Sequence, residues 1–348
     1  MITNYTFVVI ERDTGGEEHM RLGKDAAKYL LEVGTPGKWV KDEYDVSLKD
    51  IMIPPDSDKK ADIALLGIPY DTSVMGRRGC KFGPKGVRDA LVFSDLYDAG
   101  LDMDLSTDFA VVDYGNVDVM QTDVLETHRR VELVVSEIYK TGATPVIIGG
   151  DHSLAYPDIK ALINSIGGKV GVINIDGHLD VRVSHHGEIS SGTPFRRLME
   201  EPKERPLDPK NFVELGINGW LNSRFYMDYC RKQGIRVIPA REVHKRGIED
   251  AVTEALERAG DGTDAIFLSI DIDGLDLSCA PGTCAPNAGG LLSYQALEAV
   301  WMIGQHPKAR GMDLLEVAPD LDSVGVTSIM ASALVMNFLG ATKKRLRG

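Results

Sequence analysis

Three short segments concentrate carboxylates and imidazoles: Gly149-Gly150-Asp151-His152-Ser153, Asp176-Gly177-His178-Leu179-Asp180 and Asp271-Ile272-Asp273, behind the aliphatic runs PVII, GVIN and IFLS. Extended backbone places alternate side chains on one face, so Asp176, His178 and Asp180 are expected together, and Asp271 with Asp273 likewise. Five carboxylates and two imidazoles then converge. Buried without partners they could not all stay ionised, because desolvation and mutual repulsion force protons onto some of them. Divalent cations remove that cost. An oxygen-rich, thiolate-free shell with two imidazoles suits Mn²⁺ and can hold Ni²⁺, Co²⁺ or Fe²⁺. One ion cannot take so many ligands, whereas two ions about 3.5–4 Å apart would share them and generate hydroxide at neutral pH. Asp151 or Ser153 also reads as a cap for a helix starting near Ala155, which would position His152.

Such a cluster needs rigid elements behind it. From residue 62, eight short β-branched or aliphatic runs (DIALLGIP, FAVVDYG, PVIIGG, VGVINIDG, FVELGING, IRVIPA, AIFLSIDID, GMDLLEVAP) alternate with helix-period segments such as VLETHRRVELVVSEIYKTG and IEDAVTEALERAG. Near-continuous apolar strands separated by helices mean a parallel sheet covered on both faces. Spacing alone fits either an open doubly wound sheet or a closed barrel; in both, function gathers at the carboxyl ends of the strands. Residues 1–61 are polar, with one helix-like stretch, GKDAAKYLLEV, and read as an N-terminal extension to a catalytic domain over 62–348.

The chain has 348 residues, 43% hydrophobic and 26% charged, which is ordinary globular usage. Its net charge of -13 and lack of a long basic block argue against nucleic acid as a partner. No apolar run approaches the roughly 18 residues of a membrane span, and the start lacks the pattern of a secretory leader, so neither a membrane nor export is expected and the compartment expected is the cytoplasm. Cys80, Cys230, Cys279 and Cys284 are too few and too irregular for a disulfide scaffold and read as reduced thiols. The tail TKKRLRG reads as a frayed helix end.

GGDHS, D-x-H-x-D followed by GTPFRR, S-x-D-x-D-x-x-D with APGT, and the late DLLEVAP together resemble the ureohydrolase family of arginase, agmatinase and formimidoylglutamase, over roughly residues 62–340. The resemblance implies a three-layer α/β/α fold with one eight-stranded, mainly parallel sheet, and trimers or hexamers. It also implies two divalent ions, usually Mn²⁺ with Ni²⁺ as the alternative, whose bridging hydroxide attacks the central carbon of a guanidinium or amidine. Carried over by motif, His152, Asp176, Asp180 and Asp271 would hold one ion, and His178, Asp176, Asp271 and Asp273 the other, with Asp180 also holding the hydroxide. Glu316 stands where the family pairs a carboxylate with the substrate guanidinium.

Departures bear on the substrate. Many agmatinases carry His just before GTPF as a proton shuttle; here Ser191 stands there and is expected to contact the substrate. His186, or its neighbour His185, is expected to supply the missing proton transfer. Gly177 replaces a usual Ala, Leu277 a usual Pro and Cys284 a common Gly. The primary expectation is a guanidinium hydrolase releasing urea or a substituted urea. Formimidoylglutamase, giving formamide and glutamate, is the alternative, with Arg182 and Arg196 as candidate cations for its carboxylates. A subunit of a heteromeric hydrolase, paired with a homologous second subunit, and a two-metal phosphoesterase complete the readings.

Overall fold

The computed structural model describes residues 44–92, 94–183, 188–202 and 204–348, and Val46–Gly348 form one compact unit. The helix expected over 23–33 lies outside the described residues, as do His185 and His186.

The strands are β1 (Met52–Ile53), β2 (Ile63–Gly67), β3 (Tyr97–Asp98), β4 (Met103–Asp104), β5 (Val111–Asn116), β6 (Thr144–Ile148), β7 (Val170–Ile175), β8 (Phe212–Leu215), β9 (Arg236–Ile238), β10 (Ala265–Asp271) and β11 (Ala309–Leu315). All eight expected runs became strands of one open sheet, in the order β1-β5-β2-β6-β11-β10-β7-β8-β9, with every neighbouring pair parallel. The sheet is not closed into a barrel, and among the described residues it has nine strands rather than eight. The ninth, β1, pairs Met52 with Val111 and Ile53 with Val112. It lies in the polar stretch before residue 62 and stops at Pro54-Pro55, whose rings lack the N–H a ladder needs, so it leaves no periodic signal. β3 and β4 form a separate antiparallel pair.

Strand side chains divide between two cores, which is why the runs are predominantly apolar. Ile63, Leu65, Ile148, Ile175 and Ile270 join Val87, Val252, Val300 and Leu334 from helices Gly83–Leu91, Ile248–Gly260, Ser293–Gln305 and Val326–Arg347. On the opposite face Leu66, Ile147, Val172 and Phe267 join Val135, Ile159 and Leu198 from helices Val124–Thr141, Ala155–Ile166 and Pro194–Glu200. Helix, sheet and helix are the three layers expected.

The C-terminal helix departs from expectation. Val326–Arg347 is long and apolar enough, by length and composition, to cross a membrane, but 67% of its apolar stretch is buried inside this protein, as in a core helix. Its basic end is not frayed: Lys344 lies 5.3 Å from the Trp301 ring centroid, Arg345 donates to the Gly304 carbonyl at 2.9 Å, and Arg347 pairs with Asp62 at 2.7 Å. A basic tail read as a frayed helix end is here spent on carbonyls, an aromatic face and a carboxylate.

Candidate metal centre

The sheet order brings β6, β11, β10 and β7 side by side at its centre, and the segment after each carries part of the cluster. After β6 the chain must pass very close to its neighbours. A Cβ on Gly150 would lie 1.6 Å from the Tyr70 carbonyl oxygen, so only glycine fits. Asp151 then caps the turn His152–Leu154 by accepting from the Ser153 N–H at 3.1 Å, and its other oxygen accepts from the Ser73 N–H at 2.9 Å. Asp151 thus caps this turn and not, as expected, the helix from Ala155, whose N-cap Leu154 makes no side-chain bond, and it lies outside the ligand groups. That turn leads into helix Ala155–Ile166 and presents His152.

His152 is locked from two sides. Phe195, of the GTPFRR segment, meets its ring edge-on at 5.4 Å and stacks on Phe212 at 4.6 Å. The Nε2 atom lies 3.1 Å from the Ser269 hydroxyl, which itself donates to Asp313 Oδ1 at 2.7 Å. The hydroxyl hydrogen is committed to Asp313, so Nε2 carries hydrogen and Nδ1 presents its lone pair. Nδ1 faces Asp180 Oδ2 at 2.9 Å, Asp176 Oδ2 at 3.1 Å and Asp271 Oδ2 at 3.3 Å.

A second group adjoins the first. His178 Nδ1 lies 3.0 Å from Asp273 Oδ2 and 3.6 Å from Asp176 Oδ1. Asp176 thus turns one oxygen to each imidazole, the disposition of a bridging carboxylate. Asp271, expected to bridge as well, stands only in the group around His152; its Oδ1 accepts from the Asp273 N–H at 2.8 Å. Strand alternation is not what assembles these residues. β7 ends at Ile175, and Asp180 reaches the cluster because its backbone turns into the left-handed region at φ 41. Asp273 sits in the tight turn Ile272–Gly274 beyond the end of β10. Gly177 is explained by crowding, since a Cβ there would meet Asn287 Nδ2 at 2.7 Å.

The electrostatics require positive charge. Burial, then the charges of Asp273 and Asp176, push the Asp271 carboxyl well above its ordinary range, and burial lifts Asp273 to about 6 against the opposing charge of His178. Asp176 goes the other way: burial would raise it, but the bonds to His152 and His178 outweigh burial and hold it low. Two cations would replace the protons the cluster otherwise needs. The donor set fits them: two groups sharing one carboxylate, oxygen-rich, with one imidazole each and no sulfur.

Glu316 follows β11 and is drawn into the same centre. Its backbone is left-handed at φ 63, its N–H donates to the Gly150 carbonyl at 2.8 Å, and its Oε1 accepts from the His152 N–H at 2.8 Å. The side chain is buried and Oε2 has no hydrogen-bond partner. Ser191 Oγ accepts from the Met75 N–H at 3.1 Å, and the Ser191 N–H donates to the Ser73 carbonyl at 2.9 Å, so this residue ties two loops together. The Arg182 guanidinium lies 5.3 Å from the Tyr226 ring centroid. Arg196 pairs with Glu200 at 2.9 Å and stacks on Tyr229 at 4.3 Å. Sequence reasoning gave no role to Ser269 and Asp313 behind His152, although both begin motifs named above, and it missed Asn174, which donates to both Asp176 and Glu214. Ser269 left a signal: two residues before Asp271 on one strand, it shares that residue's face.

Residues 61–340 match the Arginase family. The chain is 32% identical to the formimidoylglutamase of Bacillus subtilis (strain 168), covering 92% of this chain and 98% of that one, and the crystal structure of that protein aligns with a TM-score of 0.83. It is 35% identical to the mitochondrial agmatinase of Gallus gallus, over 80% of each chain. The Trypanosoma cruzi formiminoglutamase with Mn²⁺ is 30% identical, with a TM-score of 0.78, covering 85% of this chain and 98% of that one.

Proposed function

The chain belongs to the arginase family, hydrolases of C–N bonds in linear amidines with a dinuclear manganese centre, and we propose that its own substrate is a small guanidinium compound. The observation that carries this reading is Glu316 Oε2, a buried carboxylate oxygen without a partner beside the two imidazole–carboxylate groups. A planar cation carrying N–H donors satisfies it, and the charge-assisted bond fixes the plane of the carbon to be attacked.

Bound divalent ions would supply hydroxide at neutral pH. His152, Asp180, Asp176 and Asp271 would hold one, and His178, Asp273 and Asp176 the other. Asp180, the most exposed carboxylate of the His152 group at 9%, is placed to accept hydrogen from the attacking water. Ser269 and Asp313 keep His152 in the tautomer that offers Nδ1. Ser191 supplies no titratable group, so the leaving amine takes its proton from solvent or from His186 or His185, and turnover is slow and alkaline-biased. We also propose a trimeric or hexameric assembly, agmatinase-like specificity, Ni²⁺ as an alternative metal and a cytoplasmic location; sedimentation and metal analysis test the first and third.

The formimidoylglutamate reading keeps specific support: the Bacillus subtilis relative is matched over 98% of its length, and the loop carrying Arg77 and Arg78 is bonded to both Ser191 and Cys284. The deciding experiment measures ammonia, urea and formamide release from agmatine, guanidino acids, guanidine, biguanides and formimidoylglutamate, with Mn²⁺ and Ni²⁺ separately. Glu316→Gln is expected to lower kcat/KM by about 100-fold or more on the true substrate, with metal content unchanged. A near-neutral Glu316→Gln, or formimidoylglutamate turned over far faster than every guanidine, overturns the guanidinium assignment.

A further inference from the structure

Beside Glu316 lies a second donor group that the hydrolytic reading does not use. The sulfurs of Cys80 and Cys284 and a Glu316 carboxylate oxygen all lie within 4.8 Å of one another, and all three residues are buried. Ala318, Val74 and Leu321 close an apolar wall around the two thiols. The three ligands sit on separate segments pinned together. The Arg77 N–H donates to the Cys284 carbonyl at 2.9 Å, the Gly79 N–H to Asp71 Oδ2 at 3.0 Å, and Thr283 bridges to Val317. A donor set held in this way needs little rearrangement to close on an ion.

We propose that Cys80, Cys284 and Glu316 form a site for one thiophilic divalent cation, Zn²⁺ or Cd²⁺, which competes with the substrate cation for Glu316. Two sulfurs and one carboxylate oxygen are three of the four corners of a tetrahedral shell, leaving the fourth to water. Their donors would stand about 3.5–4 Å apart around zinc, so a modest inward turn of the side chains completes the site. The neighbouring dinuclear groups contain no sulfur and the thiol site contains no imidazole, so the two sort metals by softness: Mn²⁺ to oxygen and nitrogen, Zn²⁺ or Cd²⁺ to sulfur. Binding releases the two thiol protons, and any proton held by Glu316, to solvent as the metal–sulfur and metal–oxygen bonds form, so affinity rises with pH. Burial also raises the Cys80 thiol well above its ordinary value, which keeps it protonated and unreactive until a metal displaces the proton.

Occupancy of this site is independent of the substrate, whereas inhibition through it rests on the guanidinium reading. The test takes enzyme holding its two Mn²⁺ ions, freed of excess metal and thiol reductant, and titrates it with Cd²⁺. The expected result is one Cd²⁺ bound per chain with both Mn²⁺ retained and an ultraviolet thiolate-to-cadmium charge-transfer band. Cys80→Ser and Cys284→Ser abolish that band, and Cys230→Ser keeps it. With substrate present, Cys284→Ser requires about 10-fold or more Cd²⁺ for the same inhibition. Variants count only when their Mn²⁺ content and melting temperature match the parent; if Cys80→Ser fails that check, Cys284→Ser alone decides. Release of Mn²⁺ in step with Cd²⁺ uptake, absence of the band, or a band that survives the serine substitutions overturns the proposal. If the band forms as expected but no guanidine is hydrolysed, the substrate reading fails and the thiophilic site stands.

Discussion

Ser269→Ala removes a single oxygen from the wall of the centre, and its effect can be worked from the contacts. Two groups lose a partner: the His152 Nε2–H, 3.1 Å away, and Asp313 Oδ1, 2.7 Å away, which keeps only a longer bond from the Ile270 N–H at 3.3 Å. A buried donor left unsatisfied costs about 1–3 kcal/mol. The imidazole is then free to rotate or to move its hydrogen to Nδ1, and either change removes a ligand from the His152 group. Loss of such a partner behind a ligating histidine weakens metal binding about 10–100-fold, or about 1.4–2.7 kcal/mol. Asp313→Asn is the control, because its amide oxygen can still accept from Ser269. Equilibrium dialysis against graded Mn²⁺ with elemental analysis gives the affinity, and melting of the metal-free protein gives the stability. A Ser269→Ala variant that binds Mn²⁺ within about twofold of the parent would refute the locked-tautomer argument.

Asp176→Ala is expected to empty both halves of the centre, whereas Asp271→Ala should leave about one ion per chain, since Asp271 stands only in the group around His152; equal loss in both variants would restore Asp271 as a second bridge. His128 is buried and held near 3 by burial and by the charges of Arg197 and Lys160, with Arg197 3.5 Å from its Nδ1. Above pH 6.5 neither state is protonated at this residue. Below it the unfolded chain takes up a proton the native state refuses, so stability falls by up to about 1.4 kcal/mol per pH unit towards pH 3. Urea unfolding at pH 7 and pH 5 should therefore show a change in the parent that is less favourable by about 2 kcal/mol than in His128→Gln, and equal changes would disprove it. Gly150→Ala drives a Cβ into the Tyr70 carbonyl and should cost about 2–3 kcal/mol, read as a lowered melting temperature; a parent-like melt would show that the turn has room.

The sequence was most informative where a physical pattern spanned several residues. Eight apolar runs became eight strands because parallel strands covered on both faces are mostly apolar, with the few polar residues among them, such as Asn174 with Glu214 and Ser269 with Asp313, bonded to each other, and IEDAVTEALERAG became helix Ile248–Gly260 because its apolar residues recur at helical spacing. β1, β3 and β4 were invisible because two residues carry no period. The six proposed metal ligands were legible as residue types, yet the reasoning for their convergence was only half right. Alternation would have aligned Asp180 with Asp176 on a strand, but the strand has ended and the turn at Asp180 does that work. Asp313 could not be singled out, since an acid inside DLLEVAP looks like any other until β11 is placed beside β10. The meeting of Cys80 with Cys284 is likewise a property of topology: each is an isolated thiol in sequence, and only the packing of two loops over the end of β11 joins them.

The backbone tells the same story as the charges. Four non-glycine residues among those described have left-handed backbone, and two of them, Asp180 and Glu316, are acids of the centre. Such conformations cost about 1–3 kcal/mol each and persist only where the surroundings over-determine them. Glu316 is held at both ends, by its N–H on Gly150 and by its carboxylate on the His152 N–H, so relaxing the backbone would break two buried hydrogen bonds. The same fold accepts a second cost in gathering Asp176, Asp180, Asp271 and Asp273 within one buried volume. Both costs fall on the segments that follow the four central strands, where the layers on either side leave the chain little freedom to move apart. Cations that bind the folded cluster and not the unfolded chain offset the electrostatic part, which makes metal occupancy a determinant of stability as well as of chemistry. Glu316 belongs to neither imidazole–carboxylate group, so metal held there leaves its left-handed backbone as it is. On the guanidinium reading proposed above, that strain is retained because Glu316 Oε2 has to stand where the substrate cation arrives.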